Sequence, residues 1–268
     1  MRRLLLLSIT TVSTIAFTHM ASAADLPRKA AAYTAPPPPV FSWTGFYVGG
    51  NAGWGWLRDS GETFCINPAG ILNGPGCNAQ TATGDQIRGD GFIGGAQAGY
   101  NWQINNWVLG VEADFQGADI KGSVAAPIFL VSVVPIPPIV TAIENANEKL
   151  DWFGTVRGRL GIAFDRVLIY GTGGFAYGHV KVDQNSVPVG VPGPFLFPSS
   201  ASVTKTGWTV GGGIEWAFAG KWSTKIEGLY YDLGSISSAG SAANGFMVGK
   251  NFDVRGEIVR VGLNYRFN

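Results

Sequence analysis

The chain has little charge, and what it has is nearly balanced. Charged side chains make up 14% of its 268 residues, and the formal net charge is +1. Soluble domains usually carry about 25% charged residues. Because the balance is close to neutral, we predict no nucleic acid among its partners. Glycine and aromatic residues are frequent instead, which suits the wall of a β-barrel, where glycine permits curvature and aromatic rings lie at the interfaces.

A membrane-spanning helix is excluded after the first residues, because the chain lacks an uninterrupted apolar run there. The most apolar later stretch, residues 125–143, contains Pro127, Pro135, Pro137 and Pro138. Prolines at these positions would leave backbone groups without hydrogen bonds in lipid.

The N-terminus has the pattern of an export signal. Arg2 and Arg3 precede an apolar segment at residues 4–17, and the small residues 21–23, Ala-Ser-Ala, form a cleavage site. We therefore predict a signal peptide over residues 1–23, cleaved between Ala23 and Ala24. Four consecutive prolines at 36–39 predict a periplasmic linker over residues 24–42. An exported chain without a spanning helix is either soluble or a barrel.

The C-terminal segment alternates with a period of two, which predicts a strand. One face is apolar: Val259, Val261, Leu263, Tyr265 and Phe267. The other face is mostly polar: Arg260, Gly262, Asn264 and Arg266. In a soluble sandwich the apolar face would meet a core, whereas in a membrane barrel it would meet lipid.

Loop lengths favour the barrel. Alternating segments predict strands at residues 43–57, 91–104, 107–116, 148–164, 167–182, 205–218, 222–233 and 256–268. Short turns at 105–106, 165–166 and 219–221 alternate with long connections, including 118–147 and 183–203. The predicted fold is therefore all-β, an eight-stranded antiparallel up-and-down transmembrane β-barrel over residues 43–268, with short periplasmic turns and long extracellular loops.

Ten charged residues fall on the predicted inner face of the barrel. They are Glu112, Asp114, Asp151, Arg157, Arg159, Glu215, Lys225, Glu227, Arg260 and Arg266. The interior of eight strands is just wide enough for side chains, and an unpaired buried charge costs several kcal/mol. A static network of paired charges is therefore expected. Mobile pairs along an ion path are the alternative.

Tryptophans near the strand ends predict an aromatic girdle at the membrane interfaces. They are Trp43, Trp102, Trp107, Trp152, Trp216 and Trp222.

Cysteine and histidine are too scarce to build an evident metal or catalytic site. Cys65 and Cys77 lie close together in an exported chain, which predicts a disulfide. Metal binding by two thiols without a nearby histidine would be incomplete. His179 is the one histidine after the signal segment, and neither Ser186 nor Ser202 stands in a recognisable hydrolase motif. We predict no catalytic residue, no cofactor and no metal site.

Three runs resemble the small outer-membrane barrel proteins of alphaproteobacteria, the porin-like surface antigens. They are WTGFYVGG at 43–50, YGTGGFAYG at 170–178 and the C-terminal residues Arg260, Gly262, Tyr265 and Phe267. The resemblance implies that the C-terminal residues form the signal read by the barrel-insertion machinery. It also implies a location in the outer membrane, where members of the family are described as structural proteins, antigens and minor pores.

The predicted function is a structural or surface-interaction role in the outer membrane of a Gram-negative cell. The expected partners are outer-membrane lipid, the insertion machinery and a host or cell-surface partner at the loops. A narrow channel for ions or very small solutes is the main alternative. A lipid-modifying barrel enzyme and a haem-binding surface protein, both through His179, are weaker ones.

Overall fold

β-Strands account for all the regular secondary structure of the described residues. The computed structural model describes residues 41–59, 62–67, 69–72, 78–81, 87–131, 139–189, 197–241 and 247–267. Its strands are β1 (Gly45–Arg58), β2 (Thr63–Ile66), β3 (Asn78–Thr81), β4 (Arg88–Ile104), β5 (Trp107–Val131), β6 (Ile139–Phe164), β7 (Val167–Val189), β8 (Phe197–Ala219), β9 (Trp222–Ser241) and β10 (Met247–Arg266). Within these ranges there is no helix long and apolar enough to cross a membrane. The predicted signal peptide, its cleavage site at Ala23 and Ala24, and linker residues 24–40 lie outside the described residues.

Eight of the strands form a closed antiparallel ring, as predicted. The order is β1, β4, β5, β6, β7, β8, β9, β10, and β10 pairs again with β1, from Tyr47 opposite Arg266 to Arg58 opposite Arg255. The short strands β2 and β3 add to β10 and β5 respectively. Closure leaves no unpaired edge in the wall, which lipid requires of any spanning sheet.

The tight turns at one end of the ring occur where the sequence predicts them. Asn105 has φ of 55°, Asp165 has φ of 51° and Gly220 has φ of 48°. Glycine enters this left-handed region at no steric cost, and Asn and Asp tolerate it better than other residues. These three residues therefore allow adjacent strands to reverse in two-residue turns. We call this end of the ring the lower end.

The opposite, upper end differs from the prediction, because strands continue into segments expected to be loops. β5 runs to Val131 and β6 begins at Ile139, so most of residues 118–147 belongs to a long hairpin. Most of residues 183–203 likewise continues β7 and β8. In this region Asn145 and Asn147 are exposed while Ala146 is buried. The period of two persists here, but polar side chains now lie on the outside.

The outer surface of the lower half is apolar. Trp54, Leu109, Val156 and Val261 are 44%, 56%, 53% and 56% exposed. These side chains do not pack together in a core, as the apolar faces of a soluble sandwich would. An exposed apolar band around a closed ring is typical of a barrel whose wall meets hydrocarbon.

A bulge in β6 moves Asp151 to the outside, contrary to its predicted place in the lumen. The pairing of β5 with β6 shifts register between Gly117 and Ile120, and the pairing of β6 with β7 shifts between Leu150 and Trp152. An irregularity of this kind puts unequal numbers of residues opposite each other and breaks the alternation. As a result Leu150, predicted to face outward, is fully buried, and Asp151 pairs with two lysines of the outer surface.

Candidate functional site

The lumen contains a compact set of eight charged side chains, which we call the ionic layer. Its members are Glu112, Asp114, Arg157, Arg159, Glu215, Lys225, Glu227 and Arg260. None is more than 4% exposed. Four carboxylates face four cations, so the formal charge of the layer is zero. Charges removed from water in this way are stable only when they are paired and hydrogen-bonded.

Two arginines tie the carboxylates of opposite strands together. Arg157 on β6 lies 2.5 Å from Glu112, 3.0 Å from Asp114 and 3.1 Å from Glu227. Arg260 on β10 lies 2.8 Å from Asp114 and 2.6 Å from Glu227. Arg157 and Glu112 face each other on neighbouring strands, as do Arg260 and Glu227. The pairs of Arg157 with Glu227 and of Arg260 with Asp114 cross the lumen. The ionic layer therefore links opposite sides of the ring.

The other two cations complete the layer with help from tyrosine hydroxyls. Lys225 lies 2.7 Å from Glu112, and Arg159 lies 2.7 Å from Glu215. The Tyr47 hydroxyl donates to Glu112 at 2.7 Å and accepts from Arg159 at 3.0 Å. Each carboxylate thus has more than one donor, which is the arrangement that offsets desolvation.

Apolar layers lie on both sides of the ionic layer, and β5 gives their order. Along its inner face Val108 comes first, then Glu112 and Asp114, then Ile120. The lower apolar layer consists of Trp43, Val108, Ala163, Leu168, Tyr170 and Ala217. The upper apolar layer consists of Leu57, Ile87, Ile93, Ile120, Ala146, Leu150, Phe153, Ala176, Val180, Val182, Leu229, Tyr231, Leu233, Ile236, Phe252, Val254 and Ile258.

Trp43 lies buried at the lower end of the lumen and is not part of an interface girdle, so the girdle prediction is wrong for this residue. Its ring is fully buried, and its indole nitrogen donates to the carbonyl of Asp165 at 3.1 Å. Arg266 lies over the rings of Phe41 and Trp43, 4.2 Å and 4.8 Å from their centroids, and donates to the Ser42 carbonyl at 3.1 Å. Arg266 is buried as predicted for a lumen charge, but these contacts make it part of a cation–aromatic cap.

Glu148 is a buried carboxylate in the upper apolar layer. It is 1% exposed, and neither carboxylate oxygen has a hydrogen-bond partner among the residues that the structure describes. Burial, with a smaller contribution from the negative charge of Asp59, raises the pKa of Glu148 to about 8, and the positive charge of Lys250 opposes the rise. The residue lies above the Asp151 bulge, where the outward side chains of β6 are polar, and so lies beyond the apolar band.

Glu148 is expected to make stability fall as pH rises. In the unfolded chain its carboxyl ionises near its ordinary pKa of 4.5, whereas the folded chain holds the proton up to about pH 8. The folded state therefore binds more protons between these values, and its stability declines across that window. We expect Glu148→Gln to match the unsubstituted protein below about pH 4.5 and to be more stable above about pH 8, by thermal unfolding in detergent.

The comparison of the two proteins separates Glu148 from neighbouring groups. Asp59, Lys250 and Tyr231 interact electrostatically with it and are present in both proteins. Only the difference between the two curves of thermal stability against pH is therefore assigned to Glu148. A difference that stays constant from about pH 4.5 to about pH 8 would contradict the assignment.

The remaining predicted residues are described only in part. Cys77 lies outside the described residues and the side chain of Cys65 is not described, so the disulfide stays a prediction. At the C-terminus Arg260 and Gly262 face inward, whereas Phe267 is exposed and packs 5.7 Å from Phe46 between ring centroids. Their role as an insertion signal stays a prediction too.

His179 lies on the outer surface. Its ring stacks on Trp152 with centroids 5.8 Å apart, and its nitrogens lie 3.1 Å from the Ser202 hydroxyl and 3.4 Å from the Thr204 hydroxyl. A histidine held between an aromatic ring and two hydroxyls belongs to the packing of the outer wall.

Sequence comparison agrees with this architecture. The family model of the outer membrane protein beta-barrel domain matches residues 21–267. The 31 kDa outer-membrane immunogenic protein of Brucella melitensis is 40% identical, over 94% of this chain and 95% of that protein. The 22 kDa outer membrane protein of Rhizobium leguminosarum bv. viciae is 31% identical, over 80% of this chain and 77% of that protein. The 25 kDa outer-membrane immunogenic protein of Brucella abortus is 25% identical over the whole of both chains.

Proposed function

Because the chain belongs to the outer membrane protein beta-barrel family, we propose that it is a closed structural barrel that presents its upper hairpins at the cell surface. Its location is the Gram-negative outer membrane, as it is for its named relatives. The finer role, a structural and surface-interaction protein with a filled lumen, has its main support in the ionic layer.

The three layers together favour a closed lumen over a channel. An ion moving through the ring would have to displace Arg157 and Arg260 from carboxylates held at 3.1 Å or less, and leave those carboxylates buried without partners. Breaking a buried pair by removing one partner costs about 3–5 kcal/mol. The apolar layers above and below are lined mostly by hydrocarbon side chains, which offer a permeating ion little in exchange for its water.

The upper hairpins support the surface role. Beyond the apolar band, β5 with β6 and β7 with β8 continue as paired strands whose outer side chains are polar. Polar hairpins held on a rigid ring form a stable surface for recognition. Two relatives are named immunogenic proteins, which agrees with exposure of such hairpins, and we propose a host or cell-surface partner there.

Single-channel recording tests the closed lumen. The refolded mature chain in a planar lipid bilayer is expected to give no steady openings, because the ionic layer links opposite sides of the narrow ring. A general porin in the same bilayer provides the positive control. Folding of the test protein is checked by its migration on a gel before and after heating.

Steady openings of uniform size from the folded protein would support the narrow-pore alternative and reject the closed lumen. In that case Arg157→Gln, which weakens the pairs with Glu112 and Glu227, should also change the conductance. Openings seen only in protein that has lost its heat-sensitive migration would be assigned to unfolded material.

A further inference from the structure

Three lysines form a horizontal row on the outer surface, just above the apolar band. Lys121 on β5 is directly opposite Lys149 on β6, and Lys149 is directly opposite Lys181 on β7. Their side chains are 59%, 39% and 50% exposed. Adjacent strands are about 4.8 Å apart, so the row presents three amines over a distance of about 10 Å.

Two aspartates hold the lysines in place without cancelling their charge. Asp119 lies 2.8 Å from Lys121 and 3.6 Å from Lys149, and Asp151 lies 2.7 Å from Lys149 and 2.7 Å from Lys181. Three cations against two carboxylates leave the row with one net positive charge. An ammonium group has three donors, so these contacts leave donors for a further acceptor.

Carboxamide and hydroxyl groups, together with the carboxylate of Asp183, lie above the lysine row on the same strands. One row pairs Asn147 with Asp183 and Asp183 with Ser200, and the next pairs Asn145 with Asn185. These side chains are exposed, and they line a concavity of about 490 Å³ on the outer surface of β6, β7 and β8. Such groups donate to and accept from sugar hydroxyls.

Aromatic rings lie directly below the lysine row. Trp152 follows Asp151 in the chain, on the lower side of the bulge in β6, and its ring stacks on His179. The ring centroids of Phe115 and Tyr177 lie 5.6 Å and 6.0 Å from that of Trp152. Amphipathic rings of this kind belong at the boundary between hydrocarbon and head groups. The vertical order on this face is therefore apolar wall, aromatic rings, amines, then carboxamides and hydroxyls.

We infer that this outer face of β5–β8 binds a phosphorylated glycolipid of the outer leaflet. A lipopolysaccharide molecule has the same vertical order: acyl chains, a phosphorylated sugar pair and a core of further sugars. The acyl chains would lie on the apolar wall, the phosphates on the lysine row and the core sugars on the rows of Asn145 and Asn147. This inference goes beyond the proposed function and does not depend on a closed lumen.

The opposite side of the ring serves as a control face. There a second row of three cations lies on the outer surface, with Arg88 of β4 directly opposite Arg58 of β1 and Arg58 directly opposite Arg255 of β10. Arg58 lies 3.7 Å from Glu257, and Arg255 lies 2.7 Å from Asp253. Charge alone would make both faces bind equally, whereas a built site would confine binding to β5–β8.

Binding is measured by native mass spectrometry of the full mature chain in detergent, titrated with lipopolysaccharide that carries only the inner core sugars. The test variant is Lys121→Gln, Lys149→Gln, Lys181→Gln; the matched control is Arg58→Gln, Arg88→Gln, Arg255→Gln, which removes the row of three cations on the opposite face. A lysine near an anionic membrane surface contributes roughly fivefold in affinity. Allowing for the aspartates, the test variant should bind at least about tenfold more weakly, and the control within about twofold.

Further binding measurements identify the source of the phosphate and the contribution of the sugars. Inorganic phosphate should not compete at millimolar concentration, and phosphatidylglycerol vesicles should not distinguish the lysine variant from the control. Asn145→Ala, Asn147→Ala should weaken binding of the inner-core lipid but leave binding of lipid A unchanged.

Equal binding by the lysine variant and the control would overturn the inference, and so would equal losses towards phosphatidylglycerol. All these side chains are exposed, and heat-sensitive migration confirms that each variant folds.

Discussion

Replacing Arg157 by methionine is expected to be among the most damaging single changes in the barrel. Methionine keeps much of the length but removes the charge that lies within 3.1 Å of Glu112, Asp114 and Glu227. Those carboxylates would remain buried with three cations for four acids. Removing one partner of a buried ion pair typically costs about 3–5 kcal/mol. We expect a loss of this size in urea unfolding of the protein in lipid vesicles.

Arg58→Met is the matched control, because it makes the same chemical change on the outer surface. Arg58 is paired with Glu257 at 3.7 Å, but their side chains are 69% and 49% exposed. A pair in water contributes about 1 kcal/mol or less. If Arg157→Met is no less stable than Arg58→Met, the ionic layer does not stabilise the barrel. A double variant that adds Glu227→Gln should recover part of the loss, since it restores equal numbers of acids and cations.

The wall of the barrel could be predicted from the sequence because its signal is repeated in every strand. Alternation placed Leu109, Val156 and Val261 outside, and Glu112 and Arg157 inside, as the structure has them. The short turns were also evident, since Asn105 and Asp165 adopt positive φ where the sequence offers residues that tolerate it. Eight strands then left one arrangement, a ring, that covers every edge.

The place of Asp151 could not be predicted, because a one-residue irregularity reverses the faces of all that follows on the strand. Strict alternation from Arg157 puts Asp151 inside and Leu150 outside, and the bulge exchanges them. The hint in the sequence is chemical: Leu150 beside Lys149 and Asp151 fits a core position better than the outside of a polar hairpin.

The upper apolar layer was missed for a related reason. A membrane barrel was expected to be polar inside throughout, so Ile120, Phe252 and Val254 were not assigned to a core. Above the apolar band, however, the outer face meets water, and the ordinary rule for soluble barrels applies. The same strands therefore obey opposite patterns at two heights: polar inside where lipid surrounds them, and apolar inside where water does. The sequence therefore predicts loops wherever a segment departs from the polar-inside pattern of the lower half.

This change of surroundings predicts that arginine will have unequal effects on stability at two positions on the outer face of β6. Val156 lies within the apolar band, between Ala113 of β5 and Phe175 of β7. An arginine on the lipid face near the middle of the membrane costs about 2–4 kcal/mol. We expect Val156→Arg to lower the stability of the barrel by about this amount in lipid vesicles, and to reduce its recovery in the outer membrane.

Asn147→Arg tests the other height, because Asn147 faces outward on the same strand but beyond the bulge. Its neighbour Asp183 is a carboxylate directly opposite on β7, so an arginine there gains a partner in water and should change stability by less than about 0.5 kcal/mol. The two variants introduce the same side chain on one face of one strand, and their difference measures what surrounds each position. If both variants had equally small effects, water would reach both heights, and the contact of hydrocarbon with the apolar band of Leu109, Val156 and Val261 would be rejected.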